Sequence, residues 1–112
     1  MKGTYLGEFE ELVLLITGVL YENAYGVTVA EEIENQMERS VSISAVHTAL
    51  YRLEEKGYVK SSLGGATQAR GGRRKRIYQI TAAGKAALDE VRVMRNRLWE
   101  MIPGTTFNFG QV

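Results

Sequence analysis

From Glu8 to about Asn23, apolar side chains recur at Phe9, Leu12, Val13, Ile16 and Leu20, the three- and four-residue steps of an α-helix. Leu14, Leu15 and Val19 add a second apolar side, so the pattern predicts a first helix buried nearly all round. Glu8, Glu10 and Glu11 fall in its first turn, where the helix dipole favours negative charge. Ala24-Tyr25-Gly26 breaks the period. A second, shorter helix is expected from about Thr28 to Met37, with Val29, Ile33 and Met37 on one stripe and Glu31, Glu32 and Glu34 outside it.

After the polar link Glu38-Arg39-Ser40, the stretch VSISAVHTALYRLEEKG opens with serines that can cap a helix and stops at Gly57, a typical residue just past a helix end. Its inner face is Val46, Ala49, Leu50 and Leu53. Ser44, His47, Thr48 and Tyr51 follow at i, i+3, i+4 and i+7 on the opposite, hydrogen-bonding face. Tyr58–Leu63 and Arg76–Thr81 have the residue types of strands, and the glycine-rich stretch GGATQARGGRRKR between them makes a long β-hairpin. Tyr78 and Ile80 share the side of the strand that serves the core.

Thr81 can cap a last helix from about Ala82 to Ile102, ended by Pro103-Gly104. Ala87, Val91, Met94, Leu98 and Met101 form a heptad-like seam on it, widened by Leu88, Trp99 and Ile102 and longer than a three-helix core needs. Packing on its own domain is the plain alternative; a contact between subunits, shared with the over-apolar first helix, is the stronger reading. The expected interface residues are Phe9, Leu12, Val91, Met94, Leu98, Trp99 and Met101. The tail TTFNFGQV has no clear period.

Length and composition set the frame for these elements. A chain of 112 residues with 45% hydrophobic content fits one small domain, which gains from hiding further apolar area against a second subunit. There is no cysteine, and a single histidine cannot form a multi-histidine metal site. The N-terminal start has an acidic flank where a signal peptide carries a basic one, and the run Leu12 to Leu20 is too short to span a bilayer. A soluble, cytoplasmic protein without membrane association is expected.

The net charge of +1 conceals segregation. Eight glutamates and no Lys or Arg lie between Gly3 and Glu38, whereas eight basic residues and no acid lie between Lys56 and Leu88. Such a chain can turn a positive surface toward a polyanion while its acidic face points elsewhere.

The order helix, helix, helix, strand, basic loop, strand is that of a winged helix-turn-helix. The fold expected is mainly α with a small β-hairpin. Residues 1–81 form the winged helix-turn-helix DNA-binding domain, 82–103 a C-terminal dimerisation helix and 104–112 a tail. In such a domain the third helix shows short donors and acceptors to base edges, and Ser44, His47, Thr48 and Tyr51 meet that need. The wing brings cations to phosphates, which Arg70, Arg73, Arg74, Lys75 and Arg76 supply among glycines that permit close backbone approach. A phosphate-cradling loop is excluded, because it requires GxxxxGK, then Ser or Thr and a helix, whereas here the glycines lead into RRKR and a strand.

Gly7-Glu8-Phe9-Glu10, Tyr25-Gly26, Ser42 to Ala45, Leu50-x-Arg52-Leu53-Glu54-Glu55-Lys56-Gly57 and GGRRKRIYQIT-AAGKAAL together resemble the PadR family of bacterial transcriptional regulators, over residues 7 to about 88. The single C-terminal helix is similar to the compact subgroup of that family. The resemblance implies a homodimer joined through the C-terminal and first helices, a pseudo-palindromic double-stranded operator, and action as a repressor. It also implies a small-molecule effector in or near the dimer interface. Carried over by position, the DNA-contacting residues are Ser42, Ser44, His47, Thr48, Tyr51 and the wing cations. Where the family commonly has Tyr in an Ala-Leu-Tyr motif, this chain has Ala45-Val46-His47, and Thr48 stands where a Pro frequently follows. These departures bear on the operator sequence, not on the fold.

Two aromatic residues keep alternative readings. Tyr51 either reaches DNA or packs on the hairpin; Trp99 either fills the dimer core or stacks on an aromatic effector. An enzyme is not expected, since no nucleophile is paired with a base, and no cofactor or metal is implied. The competing class is a winged-helix protein-interaction module that uses the acidic first half without operator binding; the basic wing argues against it. Single-strand or RNA binding would need a stacking platform that these aromatics do not form.

Overall fold

A computed structural model describes residues 5–64 and 75–110. Helix α1 spans Glu8–Leu20 and passes into a 3₁₀ turn at Tyr21–Asn23; α2 spans Gly26–Met37, α3 Ile43–Glu55 and α4 Ala82–Met101. Strands β1 (Val59–Leu63) and β2 (Arg76–Ile80) lie between α3 and α4 and form an antiparallel pair. A second 3₁₀ turn, Gly104–Phe107, follows Pro103. The fold is mainly helical, with one two-stranded hairpin.

The helix boundaries follow from capping. Ser42 Oγ accepts from the Ala45 amide at 3.0 Å and opens α3. The same helix ends at Lys56, where Gly57 takes a φ of +81° that a Cβ would strain. Helix α2 begins two residues before the position that periodicity suggests. Thr28 is not its first residue but its third: the Tyr25 amide donates to Thr28 Oγ1 at 3.0 Å, and that hydroxyl donates to the Asn23 carbonyl at 2.5 Å. This is the reach-back half of a capping box.

The core lies where α1, α2 and α3 meet the hairpin. Val13, Leu14, Val29, Ile33, Val46, Leu50 and Leu53 are fully buried, each worth roughly 2 kcal/mol relative to exposure. Val46, Ala49, Leu50 and Leu53 are the inner face that the sequence assigns to α3. Tyr78 is buried and Ile80 packs against the cluster, as their shared strand face requires. The hairpin pairs Val59 with Ile80 and Ser61 with Tyr78, and it is fastened to the helices by the Tyr78 amide donating to the Ala24 carbonyl at 2.8 Å.

Helix α1 is not buried all round, contrary to its sequence pattern. Val13, Leu14, Ile16 and Thr17 face the core, while Leu15 and Val19, one helical turn apart, are 47% and 68% exposed. Helices α2 and α3 and the hairpin cover one side only. Thr17, a polar residue in this core, satisfies its hydroxyl by donating to the Val13 carbonyl at 2.8 Å.

Helix α4 leaves the body of the domain. Thr81 Oγ1 accepts from the Gly84 amide at 3.1 Å and donates to the Gly57 carbonyl at 2.6 Å, fixing the helix start against the end of α3. Gly84 is buried there, and a Cβ on it would collide with the Tyr58 carbonyl oxygen. Ala87, Leu88 and Val91 pack on the core, and Arg95 pairs with Glu11 of α1 at 3.0 Å. Beyond that the helix projects. The radius of gyration is 17.5 Å and the long dimension 65 Å, against about 13 Å for the radius of a compact domain of this length.

Candidate nucleic-acid interface

Helix α3 is two-faced. Its apolar stripe is buried, and Ser42, Ser44, His47, Thr48 and Tyr51 are all exposed on its outside. Tyr51 is 62% exposed, so it does not pack under the hairpin. Ser42 is occupied as the cap of α3 and lies 3.5 Å from Ser44 Oγ. The face offers hydroxyls, an imidazole and a phenol in a row along one helix, the short donors and acceptors that base edges can meet.

His47 has a neighbour that sequence reasoning did not assign. It lies against the backbone of Gly26, in the first turn of α2. Adjacent Tyr25 carries the Lys75 ammonium over its ring at 4.2 Å from the centroid.

Of the five wing cations, Arg70, Arg73 and Arg74 lie outside the described residues. Lys75 and Arg76 are at the base of the wing, and both have partners within the chain. Lys75 stands on Tyr25, and Arg76 Nη1 donates to Ser61 Oγ at 2.9 Å, while Ser61 Oγ donates to Glu54 Oε2 at 2.7 Å. That chain joins β2 to β1 and to the end of α3. Burial pushes the Tyr78 phenol above its usual range, the Glu54 carboxylate adds to the effect and Arg76 opposes it, so Tyr78 stays a neutral core side chain.

The residues expected at a subunit contact fall into two groups. Phe9, Leu12 and Val91 are partly buried against their own core. Met94, Leu98, Trp99 and Met101 are exposed along the projecting half of α4. Two open clefts flank the junction of α1 and α4. One, of about 270 Å³, is lined by Leu6, Ala87, Val91, Met94 and Arg95; the other, of about 470 Å³, by Glu11, Leu15, Leu88, Arg95 and Trp99. Trp99 is 66% exposed, with Phe107 folded back so that the ring centroids are 6.4 Å apart and Phe109 tilted at 57° to Phe107 with its centroid at 6.1 Å. The tail has no period from which this aromatic fold-back could be read.

Among the described residues no group of His, Asp or Glu is placed to hold a metal ion. No single described helix is long and apolar enough to cross a membrane.

A three-helix unit with an exposed polar face on its third helix, followed by a two-stranded hairpin, defines a winged helix-turn-helix protein. Residues 15–90 match the transcriptional regulator PadR-like family. An uncharacterized protein of Lysinibacillus sphaericus is 31% identical over 87 residues, covering 76% of this chain and 75% of the relative. A PadR family transcription regulator from Clostridium difficile is similar in structure, with a TM-score of 0.61, 30% identity and coverage of 84% of this chain and 92% of that one. Its counterpart from Eggerthella lenta superposes with a TM-score of 0.66 at 23% identity, over 83% and 80% of the two chains. Bacillus subtilis PadR, solved in complex with operator DNA, shares the fold with a TM-score of 0.63 at 15% identity, over 80% of this chain and 49% of that one. The chain belongs to the PadR-like family of transcriptional regulators, a family of regulators and not of enzymes.

Proposed function

We propose that this regulator is a cytoplasmic homodimeric repressor that binds a pseudo-palindromic duplex operator, with α3 of each protomer in the major groove and each wing on the adjacent backbone. The observation that carries the reading is the exposed row Ser42, Ser44, His47, Thr48 and Tyr51 on a helix whose opposite side is locked in the core. The operator complex of Bacillus subtilis PadR, a protein of the same fold, supports it.

In this reading the labour is divided. The α3 row sets sequence preference, while Arg70, Arg73, Arg74 and Arg76 supply affinity through phosphates. Lys75, standing on Tyr25, positions the base of the wing and meets the backbone there. Residues 1–81 form the DNA-binding unit and 82–103 the dimerisation helix, through Met94, Leu98, Trp99 and Met101 with Phe9, Leu12 and Val91 at the edge. The apolar row on α4 and the uncovered Leu15 and Val19 on α1 support a second copy as the cover. The clefts at the α1–α4 junction are the place for a small-molecule effector that releases the operator.

Selection of bound sequences from a random duplex pool, repeated with candidate effectors, tests the proposal. It predicts an enriched motif with two half-sites one helical turn, about 34 Å, apart. Failure to enrich any sequence, together with duplex affinity that ignores salt, overturns it in favour of a protein-interaction module.

A further inference from the structure

We infer that Gly26 is a specificity-positioning residue, which by lacking a side chain seats the His47 imidazole against the first turn of α2 and so sets where the recognition helix presents that ring. The inference rests on the DNA-binding reading of α3 given above.

As placed, the His47 ring occupies the space that a side chain at position 26 would need. A Cβ built on Gly26 would stand 2.6 Å from His47 Nε2 and 3.2 Å from Nδ1, and closer still to Cε1. The Cε1–Nε2 side of the ring is therefore the part held against α2, with Nδ1 the farther of the two nitrogens. Gly26 is buried, and its φ is not in the left-handed region, so backbone conformation does not call for glycine here. Helix propensity disfavours it, because glycine costs up to about 1 kcal/mol relative to alanine within a helix. What the missing side chain leaves room for is the His47 ring, which supplies the nearest atoms that a Cβ at this position would meet.

The two residues before Gly26 hold the wing. The Ala24 carbonyl accepts from the Tyr78 amide of β2 at 2.8 Å, and the Tyr25 ring carries Lys75. Thr28 pins the same segment from the other side, accepting from the Tyr25 amide. Three consecutive residues thus fix the base of the wing and one side chain of α3 in a common frame. An alanine at position 26 would push the imidazole by about 1 Å to reach ordinary van der Waals contact, more than separates a good hydrogen bond from a broken one. The wing anchors at Ala24 and Tyr25 would stay.

Base preference is the readout, in Gly26→Ala, His47→Ala and the double variant, by selection from a random duplex pool. Gly26→Ala is expected to lose about tenfold discrimination at the same operator positions as His47→Ala, with its salt dependence kept. In the His47→Ala background the alanine at 26 meets no ring and should change nothing, a strong departure from additivity. Unchanged preference in Gly26→Ala, or the same shift with and without the imidazole, overturns the inference. If Gly26→Ala alone fails to fold, the double variant should recover the fold, and a double variant that stays unfolded also overturns it. His47 is the sole histidine, so its imidazole gives one assignable Cε1 proton signal; a cross-peak to the Gly26 α-protons reads the seat without DNA, and its absence overturns the inference. Wild-type protein that shows the cross-peak but binds no duplex removes the DNA-binding reading, and the specificity role with it, while leaving the contact itself established.

Discussion

The Lys56 ammonium lies 2.6 Å from the Glu10 carboxylate and also donates to the Tyr5 carbonyl, tying the end of α3 to the start of α1. Both side chains are mostly shielded from water. Lys56→Met keeps the apolar stem but strands the carboxylate, and is expected to cost about 2 kcal/mol. By contrast, Lys85→Met breaks an exposed pair with Asp89 on α4 and should leave stability unchanged. Urea unfolding midpoints at constant m separate the two; equal effects would contradict the difference in burial.

Gly84→Ala should be among the most destabilising single-methyl changes in the chain. The new Cβ meets the Tyr58 carbonyl, which is itself held by the Thr81 amide at 3.0 Å, so neither side can yield without moving the start of α4. Overpacking of this kind costs about 1–3 kcal/mol. Thermal unfolding is the measurement, and a melting temperature equal to wild type would show that α4 does not sit this close to the end of α3.

Leu98→Glu places a charge on the seam of α4, at a side chain that is 51% exposed within one protomer. If α4 is the dimer contact proposed above, wild type should sediment as a dimer, and the variant should keep its helical circular dichroism and sediment as a monomer. Duplex affinity should fall with it, since two half-sites are no longer read together. A wild-type monomer at micromolar concentration would rule out the dimer.

Tyr78 carries a pH signature. Its folded pKa is raised above 10.0, first by burial and then by Glu54. A group that holds its proton more tightly when folded adds stability that is complete below the unfolded pKa and is lost as pH rises through the folded one. Wild type should therefore lose stability more steeply than Tyr78→Phe above pH 10, and the two should run parallel at neutral pH. Parallel curves throughout would mean that the phenol is solvated in the folded protein.

The helices are legible in the sequence because period and punctuation agree. Ser42, Gly57 and Thr81 stop and start the chain where capping chemistry says they should. The start of α2 is less legible, since Thr28 acts backward on Tyr25 and reads as a helix start when it is already inside one. Periodicity also identifies Leu15 and Val19 as apolar without telling whether the same protomer covers them. The α3 face can be read in full, because one helix carries it. The seat of His47 on Gly26 and of Lys75 on Tyr25 cannot, because each joins residues far apart in the chain, and a composition-level reading makes Lys75 a free phosphate ligand.

If α3 chooses the sequence and the wing supplies the charge, the two roles separate in one experiment. Fluorescence anisotropy of a selected duplex and its scrambled counterpart, across a salt series, measures both in wild type, His47→Ala/Tyr51→Ala and Arg73→Ala/Arg74→Ala. Wild type should prefer the selected duplex by about 10³ or more. The α3 variant should lose that preference at an unchanged salt slope, and the wing variant should weaken on both duplexes, its log–log slope flattened by about 0.9 for each phosphate no longer neutralised. Wild-type binding that is equal on the two duplexes, or both variants weakening both duplexes alike, would contradict this division of roles.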